Sequence, residues 1–277
     1  MFNTIILLAE PAEQAVLATL LRRHNPKLAV RTVASIEEID ALKPDRLARS
    51  RLVGFVTPVV VPKRILDALG FGAYNFHPGP PQYPGWMPAH FAIYDRATEF
   101  GATVHVMIEQ VDAGPIIGVE YFAVPPQAGV LKLEQLAYVQ IAKLFWDFAP
   151  VLANQTEPIA GLPVQWSGRK GTRRLHAALC DMAPDISEDE LDRRIAAFGA
   201  GHSGVSPTIT MHGRRFRYAE SEAVMGPRSA TLVTPVRSVA QTAPQRRSAK
   251  ALKRYIALTM LSVIFLASPK SIMVLSR

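Results

Sequence analysis

Over the first 150 positions the apolar residues fall into two alternating rhythms: short continuous runs, and stretches where they recur every three or four residues. The first rhythm marks buried parallel strands and the second the crossover helices between them. Strands are predicted at 4–9, 28–33, 52–56, 73–77, 103–108 and 116–124. Helices are predicted at 11–23, where Ala15, Val16, Ala18, Leu20 and Leu21 supply the buried face, then after Ser35, at 63–69, at 89–97 and at 131–152. Ser35 and Glu38 have the spacing of a reciprocal cap at a helix start. Pro58 and Pro62 bracket three valines, and neither proline can donate to a sheet ladder, so the third strand must turn out there. Residues 158–171 read as linker. A second capping box, Ser187 with Glu190, opens a helix to Phe198, and 208–218, centred on His212-Gly213, read as a hairpin. The expected fold is α/β: a Rossmann-like, mostly parallel sheet with flanking helices, followed by a small helix-plus-hairpin segment. Divisions are expected at 1–160 (catalytic domain), 161–226 (the small segment) and 227–277 (a poorly ordered basic tail).

Composition narrows the class. With 277 residues, 49% of them hydrophobic, the chain can bury a substantial core. Cys180 is the only cysteine, which excludes a disulfide framework and thiolate-pair metal sites, and a reducing, cytoplasmic setting fits. The N-terminus lacks the basic start of a signal peptide. The net charge of +8 suggests nucleic acid until it is located: nine of the 31 basic residues lie in 228–277 with no acidic residue among them, leaving 22 against 23 acidic before them. A body gripping nucleic acid needs a basic face, so nucleic acid is discounted. The apolar stretch 256–268 in the tail would reach only about 20 Å as a helix, short of the roughly 30 Å a membrane span needs. Lying on an anionic membrane surface is the alternative weighed for it, and a terminal extension is favoured.

The chemistry concentrates around one segment. Residues 78–88, Pro-Gly-Pro-Pro-Gln-Tyr-Pro-Gly-Trp-Met-Pro, can be neither helix nor central strand. They form a rigid loop at a strand's C-terminal end, where open parallel sheets place ligands. Just before it, Asn75 and His77 alternate along the strand and so share a face. An amide beside an imidazole can polarise a carbonyl and move a proton, and Asp112, in a loop after a neighbouring strand, is placed to pair with His77. The plainer reading is polar groups satisfying a strand end and a turn, and the residues alone leave both open.

Asn75-Phe76-His77-Pro78-Gly79-Pro80-Pro81-Gln82-Tyr83-Pro84-Gly85, Gly101-Ala102-Thr103-Val104-His105-Val106 and Val111-Asp112-Ala113-Gly114-Pro115-Ile116-Ile117 together resemble the folate-dependent formyltransferase family. The resemblance covers 52–154 well, 1–51 in outline and nothing after about 218. It implies an enzyme, a one-carbon transferase with catalytic Asn75, His77 and Asp112: an amine attacks the formyl carbon of 10-formyltetrahydrofolate, Asn75 and a protonated His77 stabilise the oxyanion, and Asp112 organises His77 and relays the amine's proton. It places the pterin against Val56, Thr57, Val59, Val60, Met107, Gln110 and Val111, with no metal. The implied acceptor is a small primary amine, with an amino sugar on a nucleotide as the leading candidate; hydrolysis of the formyl donor by the same trio, and a non-catalytic folate-fold adaptor, are the rivals. Where many members have Ser-Leu-Leu-Pro after the histidine, this chain has Gly79-Pro80-Pro81-Gln82, so a stiffer loop lacking that hydroxyl is expected. Of the remaining polar residues, His90 is expected at a helix surface or touching substrate, His105 as a satisfied core histidine, Glu109 as a solvated charge and Cys180 as inert. Tyr83 and Trp86 either stack on substrate or pin the loop. Arg173, Arg174, Arg193 and Arg194 either bind a phosphate or lie on solvated helix faces.

Overall fold

The computed structural model describes residues 1–199 and 205–219. Strand β1 (Thr4–Leu8) is followed by helix α1 (Pro11–His24), β2 (Ala29–Val33), α2 (Ile36–Asp40), α3 (Pro44–Leu47), β3 (Ser50–Phe55), α4 (Lys63–Ala68) and β4 (Ala73–His77). Then come α5 (Pro88–Tyr94), β5 (Glu99–Val106), β6 (Ile116–Ala123) and the long α6 (Val130–Asn154). The remaining elements are α7 (Arg173–Cys180), β7 (Asp181–Met182), α8 (Glu188–Phe198), β8 (Thr208–Met211) and β9 (Arg214–Arg217).

The central sheet has the order β2-β1-β3-β4-β5-β6, and β7-β8-β9 form a second, small sheet. Strands β1 to β4 pair in parallel, whereas β5 runs antiparallel to β4 and β6 antiparallel to β5. The expectation of parallel strands through the first 150 residues therefore fails at β5 and β6. Only residues 107–115 join those two strands, too short for the crossover that a parallel return demands.

Both faces of the sheet are covered, which is why its strands read as unbroken apolar runs rather than as alternation. On one face α6 lays Leu133, Ile141, Phe145 and Leu152 against the strands, with the Phe145 ring 5.0 Å from Phe76 and 5.5 Å from Phe55. On the other, Ile6, Leu8 and Leu52 pack with Ile39 and Ile65. By length and composition α6 could cross a membrane; eleven of its residues are buried, and its apolar face is accounted for by the core it closes. Arg51, wholly buried on β3, donates to the carbonyls of Phe71, Leu152 and Gln155 and so ties the sheet to the C-terminal end of α6.

Both predicted caps exist, with variations. Ser35 Oγ accepts the Glu38 N–H, while the Glu38 carboxylate reaches the N–H of Ala34 instead of its cap residue. Ser187 caps Glu190, whose carboxylate turns to the Tyr94 hydroxyl and Arg194. Helix α7, capped by the Thr172 hydroxyl, and strand β7 were not anticipated after the linker. Residues 227–277, including the apolar stretch 256–268, lie outside the described residues.

Candidate active site

The C-terminal end of β4 delivers Asn75 and His77 to one face of the sheet, and the antiparallel register sets His105 of β5 directly opposite Asn75. Cross-strand partners share a face, so three polar side chains meet at one rim. Asp112 joins them from the loop between β5 and β6. Its Oδ2 accepts the Gly85 N–H at 2.7 Å and lies 3.3 Å from His77 Nδ1, while its Oδ1 lies 3.1 Å from His105 Nε2. Gly85 has φ +92°, and a Cβ there would meet the Gly171 carbonyl at 2.4 Å, so only glycine brings this N–H to the carboxylate.

Proton positions follow from the partners. His77 Nε2 is 3.0 Å from the Tyr83 carbonyl and His105 Nδ1 is 2.9 Å from the Val106 carbonyl. A carbonyl only accepts, so both of these nitrogens carry hydrogen. The other nitrogen of each ring faces Asp112, and a proton held on either one is shared with the carboxylate. His77 and Asp112 are 4% and 6% exposed. Burial pushes the His77 pKa below its usual value and the Asp112 charge opposes that push. For Asp112 burial acts upward, but His77, His105 and the Gly85 N–H together outweigh it and hold the carboxyl well below the usual carboxylate range. Asp112 is therefore the fixed negative charge of the site.

Trp166 backs the cluster, its ring edge-on to His77 at 5.8 Å and His105 at 5.1 Å, with its Nε1 donating to the Gly114 carbonyl. The proline loop closes over His77: Thr103 Oγ1 donates to the Gly79 carbonyl, and a Cβ on Gly79 would meet His77 Nε2 at 2.7 Å. At Gly79 the absence of a side chain lets the loop lie against the imidazole.

A cavity of roughly 480 Å³ opens on the cluster, and Asn75, His77, His105 and Asp112 all line it. Every residue expected at a pterin, namely Val56, Thr57, Val59, Val60, Met107, Gln110 and Val111, lines it too. Trp86, Met87, Pro88 and Arg173 also contribute. Val56, Met87 and Asp112 have φ of 46°, 55° and 46°. Non-glycine residues rarely adopt this left-handed region, and such strain concentrates where function over-determines the backbone.

His105 is buried with its ring nitrogens partnered, as expected of a satisfied core histidine, and one of those partners is the Asp112 carboxylate. Other expectations need correction. His90 is buried, neither at the surface nor lining the cavity; it packs near His176 and Phe198 with Nδ1 3.9 Å from Glu134. Trp166 falls in a stretch read as linker. Arg193 and Arg194 are engaged by the Tyr94 carbonyl and Glu190 rather than free for a phosphate. Tyr83 packs on Phe100 and serves the loop, and Glu109 is exposed at the cavity. Cys180 is buried, its thiol pushed up to about 11 by burial, which keeps it protonated and unreactive.

The fold and site define a class: a Rossmann-like α/β domain with an amide, imidazole and carboxylate cluster at a cavity beside the end of a sheet strand. The family model described as formyl transferase matches residues 9–140. The chain is 32% identical over 113 residues to a methionyl-tRNA formyltransferase of Listeria monocytogenes serotype 4a, a match covering 40% of this chain and 34% of that protein. It thus spans about a third of the length of that curated relative. Among solved structures it is similar to a sugar N-formyltransferase from Shewanella sp. (TM-score 0.62, 15% identity, 81% of this chain and 99% of that one). It is also similar to an N-formyltransferase from Helicobacter canadensis in complex with folinic acid and dTDP-3-aminofucose (TM-score 0.55, 15% identity, 78% and 86%). At these identities the likeness is one of fold.

Proposed function

We propose that the protein is a cytoplasmic N-formyltransferase that moves a formyl group from 10-formyltetrahydrofolate to the primary amine of a small acceptor. The carrying observation is the convergence of Asn75, His77 and Asp112 on one cavity. The cavity suits a formylated reduced folate on two further counts. Asn75 Oδ1 is buried and, among the described residues, has no hydrogen-bond partner, a cost normally offset when a ligand completes the site. The walls formed by 56–61 and 107–111 are mainly apolar and, among the described residues, the backbone N–H groups of Val60, Gln110 and Val111 have no backbone acceptor, which suits a flat heteroaromatic with an amide-like edge.

When bound, the folate supplies an electrophilic formyl carbon attached to nitrogen. His77 holds a proton at Nε2, where it serves as the donor to the oxygen that gains charge as the acceptor amine adds, and the Asn75 amide is the second polar group there. Asp112 orients His77 through Nδ1 and, with His105 beside it, provides the place to which the amine's proton moves. The new amine–formyl bond forms, the old nitrogen–formyl bond breaks, and the leaving nitrogen gains one proton. The acceptor we favour is an amino sugar carried on a nucleotide, the type of compound bound in the Helicobacter canadensis neighbour. Residues 1–227 carry 22 basic and 23 acidic residues, a balance that favours a small molecule over nucleic acid.

The test is formyl transfer from 10-formyltetrahydrofolate, with and without amine. Asn75→Ala and Asp112→Asn should each lower kcat about 10²- to 10³-fold while leaving folding intact. Rapid loss of formyl without any amine would make the protein a hydrolase, and unchanged rates in both variants would sink the catalytic assignment.

A further inference from the structure

The arginines around α7 and α8 differ in what holds them. Arg169 pairs with Asp95, Arg96 with Asp189, Arg193 with the Tyr94 carbonyl and Glu190, and Arg194 with Glu190 and the Leu179 carbonyl. Arg173 and Arg174 have no such partner among the described residues, and of the two Arg173 lines the cavity, which Asn75, His77 and Asp112 share. The Arg173 guanidinium lies 5.8 Å from the centroid of the Trp86 ring.

Its placement is built from the backbone up. The Trp86 N–H donates to the Gly171 carbonyl and the Gly171 N–H to the Pro84 carbonyl, so the end of the proline loop is stitched to the start of α7. The Thr172 hydroxyl caps α7 one residue before Arg173. The His176 ring stands edge-on to the indole at 5.0 Å and supports it from the next turn. A guanidinium set over an indole keeps its planar fork of N–H donors free for a second partner. The other charged groups lining the cavity are the exposed Glu109 and the buried Asp112, the latter already bound to two imidazoles and the Gly85 N–H.

We infer that Arg173, seated on Trp86, recognises an anionic group of the amine acceptor, a phosphate or a carboxylate, and so sets acceptor specificity. This rests on the formyltransferase reading. It makes Arg173 a binding residue for the half of the reaction that the folate does not fill, while the reacting atoms are handled by Asn75, His77 and Asp112. A planar guanidinium binds such oxyanions through paired, charge-assisted hydrogen bonds, which a lysine reproduces only in part.

The experiment is calorimetric titration of the full-length protein saturated with folinic acid, using thymidine diphosphate, inorganic pyrophosphate and acetate as separate probes. Arg173→Ala should weaken the binding of at least one probe about 10- to 100-fold, Arg173→Lys should restore part of it, and Arg173→Glu should abolish it. Folinic acid affinity should stay constant across the series, which also reports that the variants are folded. A loss shared by thymidine diphosphate and pyrophosphate assigns the site to a phosphate as such. A loss confined to thymidine diphosphate assigns it to a phosphate carried on a nucleoside, and a loss confined to acetate to a carboxylate. Equal binding of all probes to wild type and Arg173→Ala, or no binding to a wild type that still takes folinic acid, overturns the inference alone. Failure of the wild type to bind folinic acid overturns the formyltransferase reading, and this inference with it.

Discussion

Asp112 shows how much one side chain can be asked to do. Its two oxygens face two imidazoles and one backbone N–H, and its own backbone sits at φ 46° to get there. The native carboxyl titrates below the unfolded value of about 4. The stability it contributes is thus fully present above that value and is lost as the pH falls through the lower native one. Asp112→Asn should be less stable than wild type at neutral pH, and the gap should narrow once the pH drops below about 4. Melting temperatures from pH 7 to pH 3 check this; a constant gap would remove the charged-carboxylate assignment. At this scale the trio was legible because Asn75 and His77 are two apart on a strand and Asp112 follows the next strand in the sequence pattern. His105 was visible only as a polar residue in an apolar run. Its role depends on β5 running antiparallel to β4, which puts it opposite Asn75. Trp166 had no signal, because its stretch has no period and it is placed by partners far away in the sequence, a hydrogen bond to Gly114 and ring contacts with His77 and His105.

Among the elements, the proline loop carries the most consequence. It is held by Thr103 at Gly79, by Asp112 at Gly85 and by Gly171 at both Pro84 and Trp86. Gly79 has no room for a methyl group: a Cβ would stand 2.6 Å from the side chain of Pro88 and 2.7 Å from His77 Nε2. Gly79→Ala should therefore cost about 1–3 kcal/mol by overpacking and lower kcat by displacing His77 or the loop. Thermal unfolding and turnover measured together check it, and a variant as stable and as active as wild type would show that the loop yields without cost. The loop itself was readable from its prolines, as were β4, whose bounds agree with the apolar run, and the hairpin around His212-Gly213. Helix α7 was not, since eight residues beginning with two arginines offer one turn of buried face, His176 and Cys180, and little more.

At the level of the whole molecule, the layers on the two faces of the sheet depend on a buried cation that has no carboxylate partner among the described residues. Arg51 donates to the carbonyls of Phe71, Leu152 and Gln155, and its guanidinium lies 5.0 Å from the Phe2 ring and 5.3 Å from Tyr74. It occupies the place of a C-terminal cap for α6, whose last carbonyls would otherwise be buried without donors. Burial lowers its pKa, yet an arginine stays charged. Arg51→Met would remove three donors at once and should destabilise the fold by about 3 kcal/mol, with the folate KM unchanged because Arg51 lies outside the cavity. Urea denaturation alongside steady-state kinetics tests it; a variant as stable as wild type would mean that water replaces the guanidinium. The layered α/β plan was legible from the rhythm of apolar runs, but this clamp was not, because an arginine inside a strand run looks like any strand-end charge until α6 is seen to end beside it.

The carbonyl of Tyr83 has a last implication. The hydrogen on His77 that a reacting oxygen would need is already in use, donated to the chain's own backbone at 3.0 Å. An incoming oxygen must therefore evict a resident, and it is rewarded only with the difference between two hydrogen bonds, not the whole of one. A weak, transient visitor such as a stray water gains little from that exchange, whereas an oxygen acquiring negative charge gains a great deal. Under the proposed mechanism the loop would act as a threshold, holding the acid quiet until charge appears for it to answer.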